Sequence, residues 1–370
     1  MEYLIPVILS LIGISLNSRL NSETPKKVLL AVILLTMVII MGLRFRVGTD
    51  TIMYMDKFEK FPTFDTLFSR RSYELEFEPI YTFLCICLKT ITPEFWPVQI
   101  MASAISSTCI IIFLYRTCRN VFLGVFFYLI FQWLYFSVEI MRESIAIGIF
   151  LLNFRNLEEK KWLKYYLFCF LGLGFHYSSA ITFVFPLLQY LRINIWYIGA
   201  CAAMVAITPL VENLNKFLEL GFVTAKISTY IKDGENQNIN WHIMEFIRNA
   251  VPSVFLLFIC RKKKLNPWYR SMLLFQILLT CGSIAIPVVF QRLTNYTTIF
   301  VNIVLCNYLS DKRIAAPMRA FAASFVILSQ SYYYYTLYKD RCFPYVSVIN
   351  PEKVPAREEY FRSIWKVKRR

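Results

Sequence analysis

Residues 44–58 read RFRVGTDTIMYMDKF, a polar and charged stretch set at the end of an apolar run over 28–45. Gly48 and Thr49 suit a tight backbone turn. Thr49 or Asp50 can cap the helix that follows, on which Tyr54 and Phe58, four apart, share a face. A carboxylate thus stands at a helix start beside Arg44 and Arg46. Arginine forks and backbone N–H groups hold phosphate oxygens, while a carboxylate beside them stays ionised and can take a proton from a hydroxyl. The plain alternative is a solvated loop following a membrane helix, and these residues alone do not separate the two.

Working outward, apolar runs recur at 3–16, 28–45, 95–115, 121–137, 140–154, 162–175, 178–191, 193–211, 243–260, 268–290, 293–309 and 315–338. The 370 residues are 57% hydrophobic and 17% charged, with a mean hydropathy of +0.50. Runs spread from end to end exclude a soluble domain with one anchor. They predict an all-α polytopic membrane protein of roughly 11–13 transmembrane or re-entrant helices, a single integral membrane domain over 1–370. The first run can extend to Leu20 with Arg19 snorkelling. It lacks a basic leader and a cleavage site, so a retained first helix is expected.

The net charge of +16 does not point to nucleic acid, because Lys and Arg cluster in short connections: 19–27, 116–120, 155–164, 192, 261–264 and 311–313. Such connections are predicted to be cytoplasmic. The alternating set then faces outside: loop 46–94, residues 139–142, the turn at His176, loop 212–242, Gln291 with Arg292, and the tail 339–370. Residues 79–91 would break this alternation if they crossed. At about 13 residues they are expected to lie along or dip into the outer face. The ten cysteines fall mostly inside apolar runs, with no disulfide framework or zinc spacing, and no D-x-D-like cluster suggests a bound divalent ion; no metal and no cofactor is expected.

This topology brings ionisable groups to one side: Arg44, Arg46, Asp50, Asp56, Glu78 before Pro79, Glu139 and Arg142 at the start of one helix, His176 between two apolar stretches, and Arg292 at the start of another. Charges at membrane depth are costly unless paired, so an outward-facing polar cavity is predicted. Each has a plainer reading. Arg142 can snorkel or pair with Glu139 on its own helix. His176 can steady a break between short helices, with Gly172 and Gly174 allowing close packing. The tyrosines at 332–335 read as an interfacial belt and His242 as a loop residue.

In series, the motifs are RFRVGTD with Tyr54 and Phe58, Glu78-Pro79, MRESIA (141–146), FHYSSA (175–180), QRLTNY (291–296) and RCFPY (341–345). This series resembles the EpsG family of polysaccharide polymerases, Wzy-like enzymes of bacterial capsule and exopolysaccharide assembly. Glu143 departs from the pattern, which carries glutamine there. The resemblance implies a glycosyltransferase that joins undecaprenyl-pyrophosphate-linked oligosaccharide repeat units, for capsule, exopolysaccharide or O-antigen, at the outer face of the cytoplasmic membrane. Arg142 and Arg292, with Arg44 and Arg46, would hold the pyrophosphate. Asp50, or else His176 or Glu78, would be the base, and Tyr54 and Tyr81 would stack on sugars. Partners would be the lipid-linked oligosaccharides, the bilayer and other polysaccharide-assembly proteins. The class C membrane glycosyltransferases are a fold-level analogy. A glycan ligase needs the same grip and base. A transporter or flippase would be favoured by the break at His176 but would carry its charges nearer the midplane. Loop 212–242 is expected to contact glycan or to gate.

Overall fold

The computed structural model describes residues 2–17, 22–67, 77–206, 239–261 and 265–368. Nearly all of loop 212–242, together with Arg19 and Lys262–Lys264, lies outside these residues. The described chain is helical and falls into two compact units, one of Met1–Ala180 with Tyr334–Arg370, the other of Ile181–Tyr333.

In the first unit, α1 (Leu4–Leu16) and α2 (Glu23–Gly42) lead into α3 (Thr49–Lys60). Then come α4 (Pro79–Ile91), α5 (Trp96–Thr117), α6 (Val121–Val138), α7 (Met141–Glu158) and α8 (Trp162–Leu173). Among the described residues, α2, α5 and α6 are long and apolar enough to cross a membrane. The chain is a helical membrane protein. α5 packs between α2 and α7, α8 packs on α7, and α1 lies on α6. A π turn at Leu129–Trp133 interrupts α6. In the second unit, α9 (Ile195–Ala206), α10 (Ile239–Ile259), α11 (Pro267–Gly282) and α12 (Pro287–Leu309) gather around α11. α13 (Ala316–Cys342) begins in the second unit and ends in the first, and α14 (Pro355–Lys368) closes the chain.

Several sequence expectations shift. The turn expected at Gln291 and Arg292 falls instead at Ser283–Ile286, because Pro287, whose missing N–H suits a first turn, starts α12. Arg292 therefore sits within α12 rather than at its start. Tyr177–Tyr190, expected as an apolar membrane helix, is a 3-10 helix with Pro186 inside it, where a proline cannot supply an α-helical hydrogen bond. Neither Thr49 nor Asp50 caps α3. Gly48 is the cap residue, with φ 87° and no side-chain cap bond, and a Cβ there would stand 2.6 Å from that of Val138. The short helix 79–91 keeps its expected bounds, as α4.

The segment after α13 is knitted into the first unit. Phe45 N donates to Val346 O (2.8 Å), Val348 N to Leu43 O (2.8 Å) and Gly48 N to Arg341 O (3.2 Å). The Tyr345 hydroxyl donates to Ile40 O (2.9 Å) and the Tyr3 hydroxyl to Cys342 O (3.1 Å). From α14, Glu358 takes Arg46 Nε and Nη2, both at 2.7 Å. Arg357 donates to the carbonyls of Arg46 (3.2 Å) and Pro344. Residues 341–358 thus form a strap over the RFRVGT loop.

Candidate functional site

The site in the first unit starts from two residues, Glu78 and Pro79. A proline at the first helical position holds the residue before it extended, and Glu78 has φ −63° and ψ 148°. Its side chain makes no cap bond to α4. The free amides of α4 are served from outside: Ile80 N and Tyr81 N donate to Gly174 O at 2.9 and 3.2 Å. Gly174 is required by space, since a Cβ there would stand 2.3 Å from Ile80 Cδ1. The turn after α8 is therefore seated on the start of α4, and Tyr177 N donates to Glu78 Oε1 at 3.2 Å.

Released from capping, the Glu78 carboxylate pairs through Oε2 with Arg142 Nη1. Arg142 stands in the first turn of α7, and its Nε donates to the Tyr54 hydroxyl at 3.3 Å. The guanidinium lies 4.2 Å from the ring centre of Phe77, 5.4 Å from Tyr54 and 5.8 Å from Tyr81. These rings pack on one another at 5.6 to 6.5 Å. Glu78 is 4% exposed, and Tyr54 and Tyr81 are buried. A buried ion pair persists only where hydrogen bonds and π faces satisfy it. Among the described residues no protein acceptor takes the remaining guanidinium N–H groups. That leaves a fixed cation able to accept an anion.

The other sequence-derived residues divide. Asp50 is half-buried one turn before Tyr54 on the same face of α3. His176 is buried beside Tyr177, whose N–H reaches Glu78; its own Nδ1 meets the Ser178 hydroxyl at 2.7 Å and accepts from Ser178 N at 3.2 Å. Toward the Ser178 backbone, Nδ1 is placed as an acceptor. Arg44 is 1% exposed, not open to a ligand. It donates to the carbonyls of Met41 and Ser137 (2.8 Å), with the Gln99 amide against its Nε, and so joins the end of α2 to the end of α6. Burial lowers it to about 10, still protonated at neutral pH. Arg46 is held by Glu358, whose hydrogen bonds raise it above the usual guanidinium range. Both arginines clamp the loop. Arg292, half-buried, belongs to the second unit.

Arg142 does not pair with Glu139, as one sequence reading had it, because Glu139 closes the preceding turn and faces Arg341 at 3.8 Å. Among the described residues no cluster of His, Cys, Asp and Glu could hold a metal ion.

A family model described as EpsG family matches residues 27–347. The chain belongs to the EpsG family. The match takes in every motif from RFRVGTD to RCFPY and ends before α14. No curated protein and no solved structure matches.

Within this EpsG-family chain the sequence reading missed several residues. Phe77, flanking the EP pair, gives Arg142 its nearest ring. Arg357 and Glu358 read as part of a tail, and only their long-range partners reveal them. In the second unit, Glu245 accepts from Arg248 (3.0 Å) and Asn249 (2.6 Å), all buried, while Gln276 and Gln330 donate to the carbonyls of Asn249 and Arg248. Two opposite charges three apart at the start of an apolar run were a visible signal.

Proposed function

We propose that this protein is a polysaccharide polymerase that joins undecaprenyl-pyrophosphate-linked oligosaccharide repeat units at the outer face of the bacterial cytoplasmic membrane. The observation that supports it best is Arg142, a cation fixed by Glu78 and three aromatic rings with N–H groups to spare. In this reading those N–H groups hold the pyrophosphate and stabilise the charge that grows on it as the bond to the sugar breaks. Glu78 is a positioning residue, since both its oxygens are engaged. Tyr54 and Tyr81 serve as walls for Arg142 rather than as sugar platforms, being 4% and 1% exposed.

Asp50 takes the proton of the attacking sugar hydroxyl while that oxygen bonds to the anomeric carbon and the lipid pyrophosphate leaves with its electron pair. Its partial exposure, against the burial of Glu78 and His176, favours it as base. For Arg292 the reading rests on its place in the QRLTNY motif, where it would hold an anionic part of a substrate. Confinement of both lipid-bound substrates to one bilayer supplies much of the rate. The test is deletion of the gene in its host, restored either intact or as Arg142→Ala, with the surface glycan and its lipid-linked precursors resolved on a gel. Long chains lost while single units still reach the outer face are expected. Units accumulating on the cytoplasmic side would instead identify a transporter, the class that the 3-10 segment with Pro186 fits.

A further inference from the structure

We propose that the second unit carries a binding groove for a phospholipid of net negative charge, independent of the Glu78–Arg142 site. The groove has a volume of about 640 Å³ and runs between the start of α9, the end of α10 and the start of α11. Its walls include Ile198, Val254 and Phe258, which are 57%, 52% and 61% exposed. In this proposal so exposed an apolar wall, on a membrane protein, meets acyl chain rather than water. The Tyr197 hydroxyl is turned inward, donating to Leu274 O at 2.8 Å, so its ring joins the apolar lining.

Charge selects the headgroup. Arg261, just past the end of α10, and Arg270, in the first turns of α11, stand where these two helices connect, so both lie at one end of the groove. Both are exposed, and among the described residues neither has a carboxylate partner. Arg261 rests over the Phe258 ring at 4.8 Å, which aims it along the wall. From Arg261 back to Val254, and from Arg270 on to Ile277, the walls extend about 10 Å at the α-helical rise. A chain laid along them puts its phosphate between two guanidinium forks, which match phosphate oxygens in pairs. A choline headgroup would bring a quaternary ammonium against the same two cations, whereas glycerol brings none. The occupant is therefore a phosphatidylglycerol-like lipid rather than a zwitterionic one.

The full-length protein, purified in detergent, is mixed with phosphatidylglycerol or phosphatidylcholine of matched chains and bound lipid is counted by native mass spectrometry. Retention of phosphatidylglycerol on the order of tenfold above phosphatidylcholine is expected, with no competition from millimolar inorganic phosphate, which lacks the chain. The Arg261→Gln, Arg270→Gln double variant should lose the preference, and Val254→Trp, which fills the wall and keeps both arginines, should lose bound lipid altogether. Equal retention of the two lipids by the unaltered protein would overturn the proposal. So would a preference that survives both variants, or one that inorganic phosphate abolishes. Since both arginines and Val254 are exposed, folding is checked for each variant by its elution and thermal unfolding beside the parent.

Discussion

Arg142 keeps its charge in a buried place because Glu78 and three aromatic rings replace the water it gives up. A lysine carries the same charge as a point with three donors in place of five, so meeting Glu78 and Tyr54 leaves it one N–H where the arginine keeps three in a planar fork. Arg142→Lys is therefore expected to lower polymerisation of purified lipid-linked repeat units by about 100-fold or more, at unchanged protein level by immunoblot. Unaltered chain length would remove Arg142 from the mechanism. Asp50→Asn should still bind the lipid-linked donor in a pull-down yet form no polymer, and full activity would move the base to His176. Glu143 is 2% exposed, and an amide of the same shape removes a carboxylate from a buried setting, so Glu143→Gln should leave chain length intact. At this scale the sequence exposed the ionisable residues but not their partners. Arg142 stands three residues from Glu139 in sequence, yet its partner is Glu78, brought from 64 positions away.

Among the elements, the seating of α4 decides whether the pair forms. Its first amides end on Gly174 O, and the contact leaves no space for a methyl group. Gly174→Ala should destabilise the protein by about 1–3 kcal/mol and shorten the glycan together. Combined with Ile80→Ala, which shortens the side chain it strikes, the cost should fall well below the sum of the two single losses. Thermal unfolding in detergent gives the cycle, and simple additivity would show that the two residues do not press on one another. The helix 79–91 was legible because Pro79 opens it and Thr92-Pro93 closes it. The 3-10 form of Tyr177–Tyr190 was not, since apolar composition looks alike in either helix type and Pro186 was the lone marker.

For the whole molecule, the strap from Arg341 to Glu358 holds the loop that leads into α3, the helix of Asp50 and Tyr54. The Arg46–Glu358 pair is largely shielded, with side chains 20% and 17% exposed. Glu358→Gln leaves Arg46 one weaker partner and should cost about 1–3 kcal/mol, read as a lower midpoint in thermal unfolding. Removal of 355–368 should lower it further and abolish long glycan, while far-UV circular dichroism keeps its helical form. A truncated protein with full stability and activity would make the strap dispensable.

Composition and the spacing of apolar runs determined that this is a helical membrane protein, because burying backbone in lipid permits few alternatives to helices. The short motifs in their order determined the EpsG family. Gly48 as a turn and Tyr54 with Phe58 on one buried face also follow from local chemistry, which needs only near neighbours. Only the tertiary structure decided that Arg44 and Arg46 clamp a loop while Arg142 stays able to take an anion. An arginine's role depends on which acceptors surround it, and here those come from Ser137, Glu358 and Glu78, residues that no local pattern ties to the three arginines.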